Sequence, residues 1–293
     1  MSQAKEALKV CKPIKVAIRG FAMGEGEPLV VMSGPCVIES EEHTMRAAEK
    51  LKKLFDGSKL NLIFKSSYDK ANRSAGSSFR GPGLDEGLRI LQRVRAEFSL
   101  PVITDVHTVE EAKAAGQVCD VIQIPAFLCR QTDLVIAAGE TGAAVNVKKG
   151  QFMAPWDMKN VLDKLRSTGN EKCILTDRGT SFGYNNLVSD MRAIPIMSQW
   201  GYPVCFDASH SVQFPGGHGD RSGGDRRFIP VLIKAAIAVG AHSIFVESHP
   251  DPKNAKSDAD SVLSFDDIPA LIIAMERLYE VTQELKSIGA LAG

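Results

Sequence analysis

The chain has 293 residues, of which 44% are hydrophobic and 24% charged, and this is enough for one large domain with a well-buried core. Its 35 Lys and Arg balance 35 Asp and Glu, which disfavours nucleic acid and anionic membranes as partners. The polar start MSQAKEALKV and the absence of any apolar run of roughly 18 residues predict a cytoplasmic protein. The six cysteines are scattered without a C-x-x-C pair, so neither a disulfide framework nor a zinc knuckle is expected.

Residues 1–27 come first in chain order, and the alternation in LKVCKPIKVAIRG predicts a small β-ribbon. Eight short runs rich in Val, Ile, Leu and Phe follow, each punctuated by Gly, Pro, Asp or Ser. Their nearly continuous apolar cores are typical of parallel strands that are covered on both faces. These predicted strands lie within 28–36, 60–67, 101–107, 120–126, 143–150, 172–179, 203–210 and 242–250.

Apolar residues three and four positions apart predict a helix after each strand, as at Leu84, Leu88 and Leu91. The other predicted helices lie near 41–55, 108–117, 131–140, 155–168, 186–200, 226–239 and 266–287. Eight strand–helix units favour an α/β fold, a (β/α)8 TIM barrel over 28–293, with the ribbon closing the bottom of the barrel. An open, doubly wound sheet is the alternative.

Polar residues occur at the carboxyl end of every predicted strand. In a barrel these ends converge on one mouth, so such residues are functional candidates. One alone is as often a solvated side chain, but eight in register favour a shared site. They are Cys36, Lys65, Asp105 with His107, Gln123, Lys148, Arg178, Asp207 with His210, and Glu247 with His249.

The candidates fall into two chemical groups. Cationic side chains that would hold a ligand with several negative groups are Lys65, Lys70, Arg73, Lys148 and Arg178. Side chains that would bind a divalent ion, with thiolate and imidazole favouring Fe, Zn, Co or Mn, are Cys36, His210, Glu247 and Asp258. The glycine-rich stretch 213–224 lacks a P-loop pattern and predicts a flexible flap.

The motifs SGPCVIES, IFKSSYDKANRSAGSSFRGPG, IQIPAFLCRQTDL, NVKKGQF, DRGTSFGYNNLVSDMR and FDASHSVQFPGG closely resemble the 3-deoxy-D-manno-octulosonate-8-phosphate synthase family. The resemblance runs from about residue 28 onward. It implies a (β/α)8 barrel, usually a homotetramer. It also implies that phosphoenolpyruvate condenses with D-arabinose 5-phosphate, with loss of phosphate, on the route to a sugar of lipopolysaccharide.

The related heptulosonate-phosphate synthases share Gly34-Pro35-Cys36 but usually carry K-P-R-T-S for erythrose 4-phosphate. The chain has K-A-N-R-S at 70–74, which favours the five-carbon acceptor. A barrel aldolase that forms a Schiff base through Lys65 or Lys148 and a non-catalytic sugar-phosphate sensor are the other hypotheses.

The resemblance also implies roles for individual residues. Phosphoenolpyruvate is expected against Lys65, Ser67, Lys70, Gln123, Lys148 and Arg178. The acceptor is expected against Asn72, Arg73, Ser74 and Asp105, and its phosphate against Arg73, Ser222 and an Arg130 from a neighbouring subunit. The residues expected to take part in catalysis are Lys65, Asp105, Lys148 and His210.

The family has metal-dependent members with Cys after the first strand and metal-independent members with Asn there. The chain has Cys36, and S-D-A at 257–259 also resembles the metal-dependent class. The resemblance therefore implies a divalent metal held by Cys36, His210, Glu247 and Asp258.

Overall fold

The computed structural model describes residues 11–72, 76, 78–217 and 222–289. Eight parallel strands form its centre, and each lies within one of the predicted runs. They are β1 (Val30–Gly34), β2 (Asn61–Lys65), β3 (Val102–Asp105), β4 (Val121–Ile124), β5 (Ala144–Lys148), β6 (Cys173–Asp177), β7 (Val204–Asp207) and β8 (Ser243–His249).

The sheet closes on itself. Neighbouring strands pair in chain order from β1 to β7, and β8 pairs with both β7 and β1. Ser243 at the start of β8 is in register with Cys205 on one side and with Val30 on the other. The TIM barrel is therefore confirmed, and the open doubly wound alternative is wrong.

Helices pack around the outside of the barrel. They are α1 (Glu41–Phe55), α2 (Leu84–Phe98), α3 (Val109–Ala115), α4 (Thr132–Glu140), α5 (Met158–Arg166), α6 (Ala193–Ser198), α7 (Ile229–Ala238) and α8 (Ile268–Ser287). Helix α1 shows the local reasons for such a boundary. The Ser40 side chain accepts a hydrogen bond from the His43 N–H, and Glu41 and Glu42 occupy the positive end of the helix.

The predicted helix over 186–200 is only partly right. Residues 187–188 instead pair with 180–181 in a short antiparallel hairpin, and the helix begins at Ala193. The Asp190 side chain accepts a hydrogen bond from the Arg192 N–H at 3.0 Å, which offers the backbone an alternative to a helical turn. The predictions at 155–168 and 226–239 each begin with a 3-10 turn, at Pro155–Asp157 and Arg226–Phe228.

The N-terminal ribbon is confirmed as an antiparallel hairpin of Val16–Ile18 with Phe21–Met23, while residues 1–10 lie outside the described residues. Its buried side chains Val16, Ile18 and Met23 join the apolar cluster inside the barrel that includes Val30 and Val121, the first residues of β1 and β4. The hairpin thus closes the amino-terminal end of the barrel and leaves the carboxyl end for the site.

Within the described ranges, no helix has the length and apolar character to cross a membrane. The cytoplasmic location stays a prediction. All six cysteines are free thiols, as the absence of a spacing motif indicated.

Candidate active site

A cleft of about 690 Å³ lies at the carboxyl ends of the strands. It brings together most of the side chains predicted from the sequence. Those that line it are Lys65, Lys70, Asn72, Asp105, Gln123, Lys148, Arg178, His210, Ser222 and Asp258. Arg73 and Ser74 lie outside the described residues.

The ends of β1 and β2 approach each other unusually closely. Gly34 has a φ of 154°, and a Cβ atom there would lie 2.1 Å from the carbonyl oxygen of Lys65, so only glycine fits. Beyond it, the Ser67 N–H donates to Cys36 O at 3.3 Å, and the Ile38 N–H donates to Ser67 O at 2.9 Å. This pairing holds Cys36 beside Lys65 at the floor of the cleft.

Three of the four predicted metal ligands form a compact cluster. Donor atoms of Cys36, Glu247 and Asp258 all lie within 4.8 Å of one another. The Cys36 thiol donates to Asp258 Oδ2 at 2.9 Å, while the buried Glu247 Oε2 has no hydrogen-bond partner among the described residues.

His210, the fourth predicted ligand, stands at the edge of this cluster, with Nε2 3.7 Å from Glu247 Oε1. Asp207 caps the helical turn Ala208–Ser211, and its carboxylate lies 2.8 Å from His210 Nδ1. A proton on Nδ1, shared with this carboxylate, leaves the Nε2 lone pair directed towards Glu247.

The electrostatics of the cluster fit a soft divalent cation. Burial raises the pKa of the Cys36 thiol, and the charges of Asp258 and Glu247 raise it further. Burial also lowers the pKa of His210, which keeps the imidazole neutral and able to ligate. A divalent ion would stabilise the thiolate and neutralise the adjacent carboxylates, so the donor set matches a transition metal.

Two buried lysines point into the cleft, each held by a carboxylate. Lys65 Nζ lies 2.5 Å from Glu247 Oε1, and Lys148 Nζ lies 2.7 Å from Asp207 Oδ2. Burial lowers the pKa of Lys148, and Asp207 opposes that shift. Lys148 Nζ also lies 3.7 Å from the centroid of the Phe245 ring. Both ammonium groups are thus fixed in direction before any ligand arrives.

Arg178 adds a third buried cation. Its Nη2 donates to Gln213 Oε1 at 3.0 Å, and its Nε has no hydrogen-bond partner among the described residues. Burial lowers its pKa, although nearby carboxylates oppose this effect. A buried guanidinium with a donor to spare is suited to an anionic ligand.

Asp105 also lines the cleft, and the Ser67 hydroxyl donates to its Oδ1. Burial opposes its ionisation, but Lys70, His107 and Lys65 lower its pKa well below the ordinary value. His107 lies between Asp105 Oδ2 at 3.5 Å and Glu111 Oε2 at 3.0 Å. Burial lowers the pKa of His107, but the hydrogen bonds and charges of these two carboxylates outweigh that effect and raise it overall.

Gln213 is a site residue that the sequence analysis did not single out. Its amide nitrogen donates to Asp258 Oδ1 at 2.8 Å, while its oxygen accepts from Arg178. Gln213 therefore links the cluster of possible metal ligands, which we call the metal-type cluster, to the buried cation. Its place three residues after His210, inside FDASHSVQFPGG, was the only available signal.

Arg130 does not line the cleft of its own chain. It lines a separate cavity of about 440 Å³ with Phe152, Met153 and Lys164. The apolar side chains of Phe152 and Trp156 on this part of the surface are more than half exposed.

Comparison with known proteins identifies the family of the chain. A model of the DAHP synthetase I family matches residues 7–284. The chain is 64% identical over 270 residues, 92% of this chain and 98% of the relative, to a protein of Protochlamydia amoebophila (strain UWE25) named 2-dehydro-3-deoxyphosphooctonate aldolase.

Two further relatives carry the same name. The protein of Geobacter sulfurreducens is 56% identical over 258 residues, which cover 88% of this chain and 95% of the relative. That of Trichlorobacter lovleyi is 55% identical over 269 residues, which cover 92% of this chain and 99% of the relative.

Proposed function

The chain belongs to the DAHP synthetase I family, and from that premise we propose that it is the synthase that makes 3-deoxy-D-manno-octulosonate 8-phosphate. It condenses phosphoenolpyruvate with D-arabinose 5-phosphate and water, and it releases inorganic phosphate. The product is a precursor of lipopolysaccharide. The observation that carries this proposal is the high identity, along nearly the full length of the chain, to relatives with the phosphooctonate name.

Buried cations would hold phosphoenolpyruvate. Lys65, Lys148 and Arg178 all lie inside the cleft, and at an effective dielectric of about 20 each would attract a charge 4 Å away by roughly 4 kcal/mol. Because their positions are set by Glu247, Asp207 and Gln213, little reorganisation is needed on binding. The roles of Ser67, Lys70 and Gln123 towards the same substrate stay predictions.

The acceptor would lie towards Asn72 and Asp105, which also line the cleft. Orientation brings C3 of the enol against the aldehyde carbon, and this proximity supplies much of the acceleration. Water then adds at C2, and the hemiketal phosphate collapses by C–O cleavage. We assign Lys148 Nζ the stabilisation of the charge that develops on the oxygens, and we assign His210 and Asp105 the positioning of the reacting groups.

We also propose that the enzyme is metal-dependent. Cys36, His210, Glu247 and Asp258 would hold a divalent Fe, Zn, Mn or Co ion. When bound, such an ion acts as a Lewis acid that polarises the aldehyde or orients water. Within the described part of the chain, Glu247 Oε2 has no hydrogen-bond partner and belongs to the same cluster as the buried Cys36 thiol, which supports the proposal. Metal analysis and refilling after chelation test it, and full activity of metal-free protein would contradict it.

One assay tests the reaction itself. Phosphate release from phosphoenolpyruvate should depend on arabinose 5-phosphate and be much slower with erythrose 4-phosphate. A preference for erythrose 4-phosphate would identify a heptulosonate-phosphate synthase instead. Borohydride should trap no adduct, because Lys65 and Lys148 are each paired with a carboxylate and serve as ammonium donors.

We further propose a homotetramer in which Arg130 completes the cleft of a neighbouring subunit. The position of Arg130 outside its own cleft, beside exposed Phe152, supports this arrangement. Coexpression of inactive Arg130→Ala with inactive Lys148→Met tests it. Mixed oligomers should regain activity, because some sites then combine an intact Lys148 with an intact Arg130. No recovery would contradict the shared residue.

A further inference from the structure

A second group of ionisable side chains lies beside the proposed metal ligands. Glu39 precedes α1, His43 is in the first turn of α1, and His249 ends β8. One donor atom from each lies within 4.8 Å of the others. We call these three residues the Glu39 cluster.

The proton positions in this cluster argue against a second cation site. The Asp251 N–H donates to His249 Nδ1 at 3.0 Å, so the proton of a neutral ring lies on Nε2. That nitrogen lies 3.2 Å from Glu39 Oε1 and has no lone pair for a metal. His43, whose pKa is lowered by burial and by His249, packs a neutral ring 4.8 Å from that of His249.

The cluster contacts the two ends of one segment. Glu39 Oε1 accepts a hydrogen bond from the Lys256 N–H at 2.9 Å, while His249 Nδ1 accepts from the Asp251 N–H. Residues 251–256 therefore form a loop whose first and last amides are both bound to the Glu39 cluster. Lys256 Nζ also lies 4.6 Å from the centroid of the Phe79 ring.

The loop leads directly into Asp258, whose backbone conformation needs support. Asp258 has a φ of 50°, in the left-handed region that residues other than glycine seldom occupy. Such a conformation persists where the surrounding contacts fix it. Its two carboxylate oxygens accept from Cys36 and Gln213, so a small rotation of the backbone would move both contacts.

We propose that Glu39, supported by His249, is a positioning residue that holds the Asp258 carboxylate against Cys36. Glu39 is not among the described residues that line the cleft, and it acts through the backbone amide of Lys256. The consequence for metal affinity rests on the proposed metal-dependent function, whereas the effect on the loop does not.

The test compares Glu39→Ala with Glu39→Gln, which keeps an oxygen for the Lys256 amide. Glu42→Ala is the matched control, because Glu42 lies only three residues after Glu39, in the first turn of α1, and pairs only with exposed Arg46 in the described part of the chain. Co²⁺ binding is followed by the thiolate-to-cobalt absorption. Glu39→Ala should raise the Kd for Co²⁺ about tenfold or more, as loss of supporting contacts around ligands usually does. Glu39→Gln and Glu42→Ala should stay within about threefold of the parent.

Amide hydrogen exchange of the metal-free proteins separates this inference from the metal proposal. Residues 251–258 should exchange faster in Glu39→Ala, with the rest of the barrel unchanged. If the parent binds no Co²⁺, the metal proposal fails and the exchange data alone decide the inference. Unchanged exchange in this segment overturns it. If Glu39→Ala does not fold, His249→Asn replaces it. Asn keeps an acceptor for the Asp251 amide but loses the contact with the Glu39 carboxylate. Faster exchange near residue 256 is then the expected result.

Discussion

Replacing Lys65 by methionine would leave the Glu247 carboxylate buried without its ammonium partner. The two groups are 2.5 Å apart, with side-chain exposures of 1% and 0%. Burial raises the pKa of Glu247, but Lys65, His210 and Lys70 lower it to about 2, so the carboxylate is ionised at neutral pH. Methionine keeps an unbranched apolar side chain but ends one atom earlier, so the substitution removes the ammonium group with its charge and hydrogen bonds.

The expected cost follows from that burial. At an effective dielectric of about 20, the attraction across 2.5 Å is roughly 6–7 kcal/mol, and desolvation of the two charges offsets much of it. Removing one partner keeps the desolvation cost of the other. We therefore expect Lys65→Met to lower the free energy of unfolding of the metal-free protein by about 3–5 kcal/mol. Adding Glu247→Gln removes the unpaired charge, and the double variant should recover most of this loss.

Urea denaturation with chelator present measures these differences as shifts in midpoint at constant slope. Lys59→Met is the matched control, because Lys59 forms an ion pair with Glu280 at side-chain exposures of 76% and 53%. Its midpoint should not change measurably. A Lys65→Met variant within about 1 kcal/mol of the parent, or a double variant no more stable than the single one, would refute the reasoning.

Three further predictions concern the site and the hairpin. Cys36→Asn should lose most of its bound metal, whereas Cys11→Ser, at an exposed thiol, should keep the metal content of the parent protein. Arg178→Lys should lower kcat/KM for phosphoenolpyruvate by about 10- to 100-fold, because a lysine cannot replace two directed donors, and steady-state kinetics with each substrate varied will measure this. The pKa of Glu25 is lowered to about 2 from 4.5, mainly by a hydrogen bond with His242, so its contribution to stability is complete above pH 4.5 and lost as pH falls towards 2. Glu25→Gln should therefore be less stable by about 1 kcal/mol at pH 6, a value discounted for its 39% exposure, and equal to the parent near pH 2; equal stability at both pH values would contradict this.

The repeating pattern of the chain accounts for most of the fold. Buried strands such as Leu62 to Phe64 are apolar because helices cover one face and the barrel interior the other, so they can be recognised without a structure. Polar residues at the carboxyl ends of such strands, for example Lys148, converge because all the strands of a parallel barrel end at the same mouth. The strands can therefore be predicted from local sequence, and the convergence of their polar ends follows from the parallel barrel.

Other parts of the site depend on contacts between distant segments. The left-handed conformation of Asp258 accompanies bonds from Cys36 and Gln213, which are distant in sequence, and the motif S-D-A alone does not specify it. The first part of the 186–200 helix prediction failed because residues 187–188 pair with 180–181 and the Asp190 side chain accepts a hydrogen bond from the Arg192 N–H, which apolar spacing does not show. Contacts of this kind compete with the conformational preference of the local sequence, and the outcome is visible only in the folded structure.

The closure of the barrel between β8 and β1 also determines when the active site forms during folding. Lys65 and Glu247 are 182 positions apart, and Cys36 and Asp258 are 222 positions apart. Contacts of such long range form late, because the entropy of closing the intervening chain must be overcome first. A polypeptide still emerging from the ribosome without β8 therefore has half of each pair and no usable cleft. Substrates can bind only to the completed barrel. Ligand binding therefore stabilises full-length folded chains and does not stabilise partly synthesised ones.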